Sequence, residues 1–419
     1  MEIQESILSI FYVSRAFALA PYKIKRNAKG IINEYKFSII FCLYSVAVTI
    51  TLVLLTIRGI VNDARSKYPV RMTTATSKFV TSLDVCIVVG ACLSGVGCGL
   101  FGLRNTQEMN AKLREVDDVL GNDKEKEKRR GLIMMVSVFI VISFMLAMDL
   151  GSRYTITKKK VSADEELIRG NITYGYIPFY VLYYILMALH IQFANTALRL
   201  GRRYRRLNNV LAKAFPIEPL KKELVHIIRV PSIKQRESSH KQKNNVGIVT
   251  HQSVLSQDTF FVDRLASAHS YLGEAVGNIS SAFGVALLVM LVSCLLHLVA
   301  TLYFLFVEIL GGNDAFYTVL QFLWVFLHVG RLLLIVEPCH LTSVEARRTI
   351  TLVCEIIRSC DPAVTQNLKK FWRQLLADRT YFFSACGMCC IDRQILTSLS
   401  GAIATYLVIL IQFQNSGSS

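Results

Sequence analysis

Seven stretches of this chain are each about 20 residues long and almost wholly apolar, the length an α-helix needs to cross a hydrocarbon core of roughly 30 Å at about 1.5 Å per residue. They run from Phe37 to Ile57, Phe79 to Leu103, Gly131 to Leu150, Tyr176 to Leu198, Phe283 to Val307, Phe316 to Val336 and Gln394 to Phe413. Soluble proteins rarely hold even one such window, so the fold class expected is an all-α membrane protein, a bundle of seven spans, rather than a buried core. Composition agrees: 53% of the 419 residues are hydrophobic and only 18% are charged.

The start, "ILSIFYVSRAFALAP", has the length of a signal peptide, but "MEIQES" precedes it with acids rather than bases and Arg15 interrupts the apolar run. It reads as an uncleaved amphipathic segment on the membrane surface. Lys and Arg set the orientation. With the N-terminus cytoplasmic, the inside segments hold 36 of these residues, the outside loops hold 10, and Arg331 lies within span six. That bias puts the N-terminus inside and the C-terminus outside. The net charge of +17 is thus a topology signal, and no nucleic-acid partner is expected. The densest cluster, "RLGRRYRR" from Arg199 to Arg206, reads either as orientation alone or as a contact with anionic lipid heads.

The topology divides the chain into a cytoplasmic N-terminal segment (1–36), spans one to four (37–198), a cytoplasmic helical extension (199–282), spans five and six (283–336), a cytoplasmic helical anchor region (337–393), span seven (394–413) and a short extracellular tail (414–419). An insert over 215–258, with Pro216, Pro219, Pro231 and the polar run "KQRESSHKQKNNVG", is expected to be disordered in part. The sequon at Asn171 falls in an outside loop and is the glycosylation candidate, whereas the sequon at Asn278 falls inside. None of the 11 cysteines lies in an outside loop, so no disulfide framework is expected. "CGMCC", Cys386 to Cys390, has the spacing of half a zinc site that no second pair completes, and it reads as small apolar packing before span seven. No metal or cofactor is expected. Nucleophile elbow, P-loop and His-Glu-x-x-His patterns are absent, so neither is an enzyme.

Polar side chains inside lipid are costly and mark function. Asp84 lies near the start of span two, Asp149 near the end of span three, and Tyr176, Tyr180, Tyr183 and Tyr184 open span four. His297, Thr301 and Tyr303 lie in the middle and outer part of span five, and Gln321 and Trp324 in the first third of span six. The alternating directions of the spans bring all of them to the outer half. Asp84, Asp149, Tyr180, His297, Thr301, Gln321 and Trp324 are the candidate ligand-binding residues. Carboxylates and amides exchange hydrogen bonds with hydroxyls, and aromatic faces stack on the C–H side of a ring, which suits a sugar. Satisfaction by neighbouring helices and an aromatic belt at the interface is the plainer reading of each residue alone.

Span seven carries a narrow polar stripe. At about 100° per residue, Gln394, Ser398, Gly401, Thr405 and Gln412 lie within about 40° of one line. Such a stripe either faces a water-filled path or packs closely against another helix. As a pore lining it requires several copies of the chain around an axis.

Thr405-Tyr406, five apolar residues and then Gln412-Phe413 resemble the C-terminal signature of insect gustatory receptors. "PVRMTTATSK", "YIPFYVLYYIL", "ANTALRLGRRYRRLN", "VSCLLHLVATLYFLF", "VEPCHL" and "FSACGMCC" resemble the fructose-sensing branch of the sugar receptors. The resemblance implies a ligand-gated, non-selective cation channel in the plasma membrane, a homotetramer with span seven lining its pore. It implies a sugar ligand, permeating cations, and Gln412 and Phe413 at the outer gate beside pore-facing Thr405 and Ser398. A G-protein-coupled receptor would need the opposite orientation, and the chain lacks Asp-Arg-Tyr after span three and Asn-Pro-x-x-Tyr in span seven. A sugar transporter would show a repeat or matching broken spans, and the chain has neither.

Overall fold

The computed structural model describes residues 8–26, 32–67, 69, 72, 74–121, 124–160, 174–216, 247–311, 315–359, 362–377 and 382–416. Asn171 and most of the 215–258 insert lie outside the described residues. The seven apolar windows are all helical, each within a helix long enough to span a membrane. They are α2 (Ile39–Arg65), α3 (Ala75–Phe101), α5 (Lys124–Lys160), α6 (Ile177–Ala214), α7 (Gly247–Gly311), α8 (Ala315–Ser359) and α10 (Gln394–Ser416). α1 (Leu8–Ala16), α4 (Leu103–Leu120) and α9 (Pro362–Ala377) complete the helices. At about 1.5 Å per residue a membrane takes roughly 20 residues, so the 65 residues of α7 and the 45 of α8 carry both far beyond it.

Burial ranks the spans. In the apolar windows 72% of α6 is buried, against 17% of α2 and none of α10. α6 is therefore the central post, and α2 and α10 pack on the outside of the bundle. Small residues let the posts approach: a Cβ on Gly201 of α6 would meet Thr342 Oγ1 of α8 at 2.8 Å. Thr342 uses that proximity to donate to the Ala197 carbonyl at 3.0 Å. α3 begins at a capping box in which Thr74 Oγ1 accepts from the Ser77 backbone at 3.1 Å and Ser77 Oγ from the Thr74 backbone at 2.9 Å. At the end remote from that cap, α4 and α9 dock on the extensions of α6 and α7. Lys112 pairs there with Glu274 at 2.9 Å, and Gln374 donates to the Ala266 carbonyl at 3.0 Å.

Two short hairpins depart from a purely helical reading. β1 (Tyr22–Arg26) and β2 (Ile32–Phe37) pair antiparallel and, with α1, tuck onto the bundle through buried Phe11, Tyr22 and Tyr35. The Tyr22 hydroxyl donates to the Gly99 carbonyl. A Cβ on Gly99 would clash with the Leu19 carbonyl oxygen, a backbone atom that no rotamer change can move aside. Gly99→Ala is expected to loosen this docking at a cost of about 1–3 kcal/mol, as overpacking does. Faster limited proteolysis within residues 17–26 is the predicted readout, and an unchanged rate would contradict it.

"CGMCC" folds as the second hairpin, β3 (Ser384–Ala385) and β4 (Cys389–Cys390), with Cys386 and Gly387 at positive φ in its turn. The expected apolar packing holds for Cys389, which is half-buried against the core, and fails for the other two cysteines. Cys386 and Cys390 are exposed, while Phe383, Ala385 and Ile391 fill the core.

Candidate functional site

A cavity of about 400 Å³, mouth included, opens in the half of the bundle that holds the α3 cap. Five helices contribute to it: Asp84 from α3, Asp149 from α5, Tyr180 from α6, Thr301 from α7, and Gln321 and Trp324 from α8. Six of the seven candidate ligand residues thus meet in one place. The seventh, His297, lies just beneath the wall, its Nε2 3.0 Å from Asp84 Oδ1.

One wall is a charged triad. Arg153 Nε donates to Asp149 Oδ2 at 2.8 Å and points at the Tyr180 hydroxyl at 2.7 Å, and that hydroxyl donates to Asp149 in turn. The Arg153 guanidinium stacks over Tyr176 at 4.2 Å, and the Tyr176 hydroxyl donates to Asp63 at 2.9 Å. The floor is a second network. Ser293 Oγ accepts from Arg331 Nη2 at 3.0 Å and lies 3.1 Å from His297 Nδ1, and Arg331 Nη1 lies 3.1 Å from His328 Nδ1. Trp324 stacks on His328 with centroids 5.5 Å apart, and Tyr183 meets Trp324 edge-on, also at 5.5 Å.

These networks revise the role expected of the carboxylates. Asp149 is paired with Arg153, and Asp84 Oδ1 lies 3.0 Å from His297 Nε2, so neither carboxylate stands alone in lipid. Donors are what the cavity leaves over. Arg153 Nη1, Gln321 Nε2 and Trp324 Nε1 are buried without a hydrogen-bond partner among the described residues. A buried polar group left without a partner costs about 1–3 kcal/mol, so the chemistry of the cavity suits a ligand rich in oxygen acceptors.

Sequence reasoning left out Arg153, Phe179, Phe304 and His328, which also line the cavity. Arg153 was counted in an outside loop, although α5 runs on to Lys160 and carries it inward. A carboxylate and an arginine four residues apart on a helix was the signal available. Arg331, fully buried, stood out as the lone cation in a span.

α10 presents its polar stripe to the outside of the chain. Gln394, Ser398, Gly401, Thr405 and Gln412 are all exposed, while Leu407 and Leu410 pack against Val80, Ala300 and Tyr303. Phe413 is in the helix, but its side chain lies outside the described residues.

A family model described as 7tm Chemosensory receptor matches residues 7–416. The chain belongs to the 7tm chemosensory receptor family. Within it, this receptor is 44% identical over 434 residues to the Gustatory receptor for sugar taste 43a of Drosophila melanogaster, covering 99% of this chain and 100% of that one. It is 26% identical to the Gustatory and pheromone receptor 32a of the same fly, covering 74% and 64% of the two chains. The receptor is thus an insect gustatory receptor. Its fold is similar to that of the insect olfactory receptor OR5 from Machilis hrabei, with a TM-score of 0.65 at 12% identity over 97% of each chain. A second OR5 structure, in complex with eugenol, aligns with a TM-score of 0.58 at 12% identity over 98% of each.

Proposed function

We propose that this receptor is a sugar-gated, non-selective cation channel of the plasma membrane, with fructose as its sugar. It assembles as a homotetramer around α10, with the N-terminus inside and the C-terminus outside. The observation that carries this reading is the cavity, where side chains from five helices converge and three buried donors await acceptors. The sugar-taste name of the 44% identical relative supports the ligand class. The tetramer is supported by α10, whose apolar window has no buried residue within the subunit and whose polar stripe faces away from it. Four copies around an axis would give that stripe water and the flanking apolar surface a partner.

One turn of α7 links ligand to pore. Ala300, Thr301 and Phe304 line the cavity, while Ala300 and Tyr303 pack against the α10 face that carries Leu407 and Leu410. Sugar that binds more tightly to a dilated arrangement of α10 would shift the population towards it through this contact. Phe413 would then leave the axis, where a ring of four phenyl groups blocks ions by dewetting, and the Gln412 amides would offer oxygens to the passing cation. Phe413→Ala is expected to raise the current without ligand severalfold in cells expressing this chain alone. An unchanged resting current at equal surface expression removes Phe413 as the gate.

A further inference from the structure

A second cavity, about 590 Å³ with its mouth, lies at the end of the bundle that the charge bias assigns to the cytoplasm. It shares no lining residue with the first. α1 and the β1–β2 hairpin cover it, placing Phe11, Tyr22 and Tyr35 on one side. α4, α6 and α7 form the other side with Met109, Asn110, Asn195, Arg199 and Phe283. The lining is therefore aromatic and aliphatic over most of its area, with amides and one guanidinium at a single side. Burial pushes the Tyr35 phenol up to about 12, so it stays a neutral hydroxyl beside that guanidinium at physiological pH.

The surroundings of Arg199 say what kind of polar head fits. Arg203 takes Asp117 in a two-pronged pair, at 2.9 and 2.7 Å. Glu127, 4% exposed, then faces Arg199 at 3.5 Å and both Arg202 and Arg206 at 3.9 Å. Neither Glu127 oxygen accepts a hydrogen bond among the described residues. Four guanidiniums thus share two carboxylates among the described residues, and Arg199 and Arg203 are buried. A buried guanidinium in a cavity wall favours an anionic partner, because charge-assisted hydrogen bonds to a carboxylate or phosphate are stronger than neutral ones. Orientation by the positive-inside bias explains arginines near a span end, but it does not require an open cavity beside a buried one.

We propose that this cavity is a second ligand site, for an amphipathic anion: a carboxylate or phosphate lies against Arg199 and Asn195, and an apolar body lies among Phe11, Met109 and Phe283. The ligand comes either from the adjoining leaflet, as an acyl lipid, or from the cytosol, as a soluble aromatic acid. Both present the same chemistry to the site.

The test is equilibrium binding to the full-length chain in lipid nanodiscs, with labelled oleate for the membrane source and labelled indole-3-acetate for the soluble one. Oleyl alcohol is the uncharged competitor. At least one anion is expected to bind saturably, near one per chain, with oleyl alcohol competing at least tenfold more weakly. Whichever anion binds names the source. Arg199→Gln and, independently, Asn110→Phe, which fills the cavity without touching the arginines, are each expected to weaken binding at least tenfold. Asn110→Phe decides the matter if Arg199→Gln fails to fold. Saturable binding of neither anion, competition by the alcohol at equal strength, or undiminished binding to Asn110→Phe would each overturn the proposal.

Discussion

Replacing Asp149 with Ala is expected to take most of the receptor off the cell surface, not merely weaken its response. Asp149 and Arg153 are 4% and 5% exposed and meet at 2.8 Å. Removing one member of a buried pair leaves the other charge uncompensated, at a cost of about 3–5 kcal/mol. That is a large share of the roughly 5–15 kcal/mol by which folded proteins are usually stable. Stacking on Tyr176 does not replace the lost carboxylate. The double variant Asp149→Ala/Arg153→Met removes both charges and is expected to recover most surface expression while its sugar response stays impaired. Surface biotinylation of the two variants checks this. Wild-type surface levels of the single variant would show that this buried pair within α5 does not govern the stability of the bundle.

The second large effect is expected at Trp324, where stability and ligand contact must be separated. Trp324→Ala should shift the sugar dose-response curve by more than tenfold, equivalent to about 1.4 kcal/mol. The indole is 6% exposed, stacks on His328 and leaves Nε1 without a partner among the described residues. Truncating a buried Trp to Ala also costs about 3–5 kcal/mol of packing, so the surviving surface population must be compared at equal expression. Trp324→Phe keeps an aromatic face while removing the N–H donor and one of the two fused rings, so its curve is expected between those of wild type and Ala. Coincident curves for all three would remove Trp324 from the ligand site.

Much of this was legible in the sequence, for physical reasons that differ by residue. The spans were readable because lipid tolerates few polar groups, so each window announces itself. The convergence of Asp84, Thr301, Gln321 and Trp324 followed from depth and direction, since a helix places a residue about 1.5 Å further along its axis per step. Partners were harder to foresee. That His297 reaches Asp84 and Arg331 reaches Ser293 depends on helix rotation and crossing, which a linear sequence does not encode locally. Arg153 was missed because a charged residue beyond an apolar run looks like a loop, while helices continue past the membrane when something pairs their charges. The N-terminal hairpin was missed because Tyr22 and Tyr35 acquire their value only against the bundle. Backbone conformation in the turn, not hydropathy, governs "CGMCC": Gly387, at φ 71, takes a conformation few other residues accept.

In the mechanism proposed above, sugar opens a cation path through this chain itself. Voltage-clamp recording from cells that express only this chain, with a panel of sugars applied in the presence of a G-protein inhibitor, tests it most directly. The expected result is a saturable, inward cation current evoked by fructose, unaffected by the inhibitor and shifted by Trp324→Phe. Absence of any sugar-evoked current from a chain shown to be at the surface, or a current abolished by the inhibitor, would contradict it.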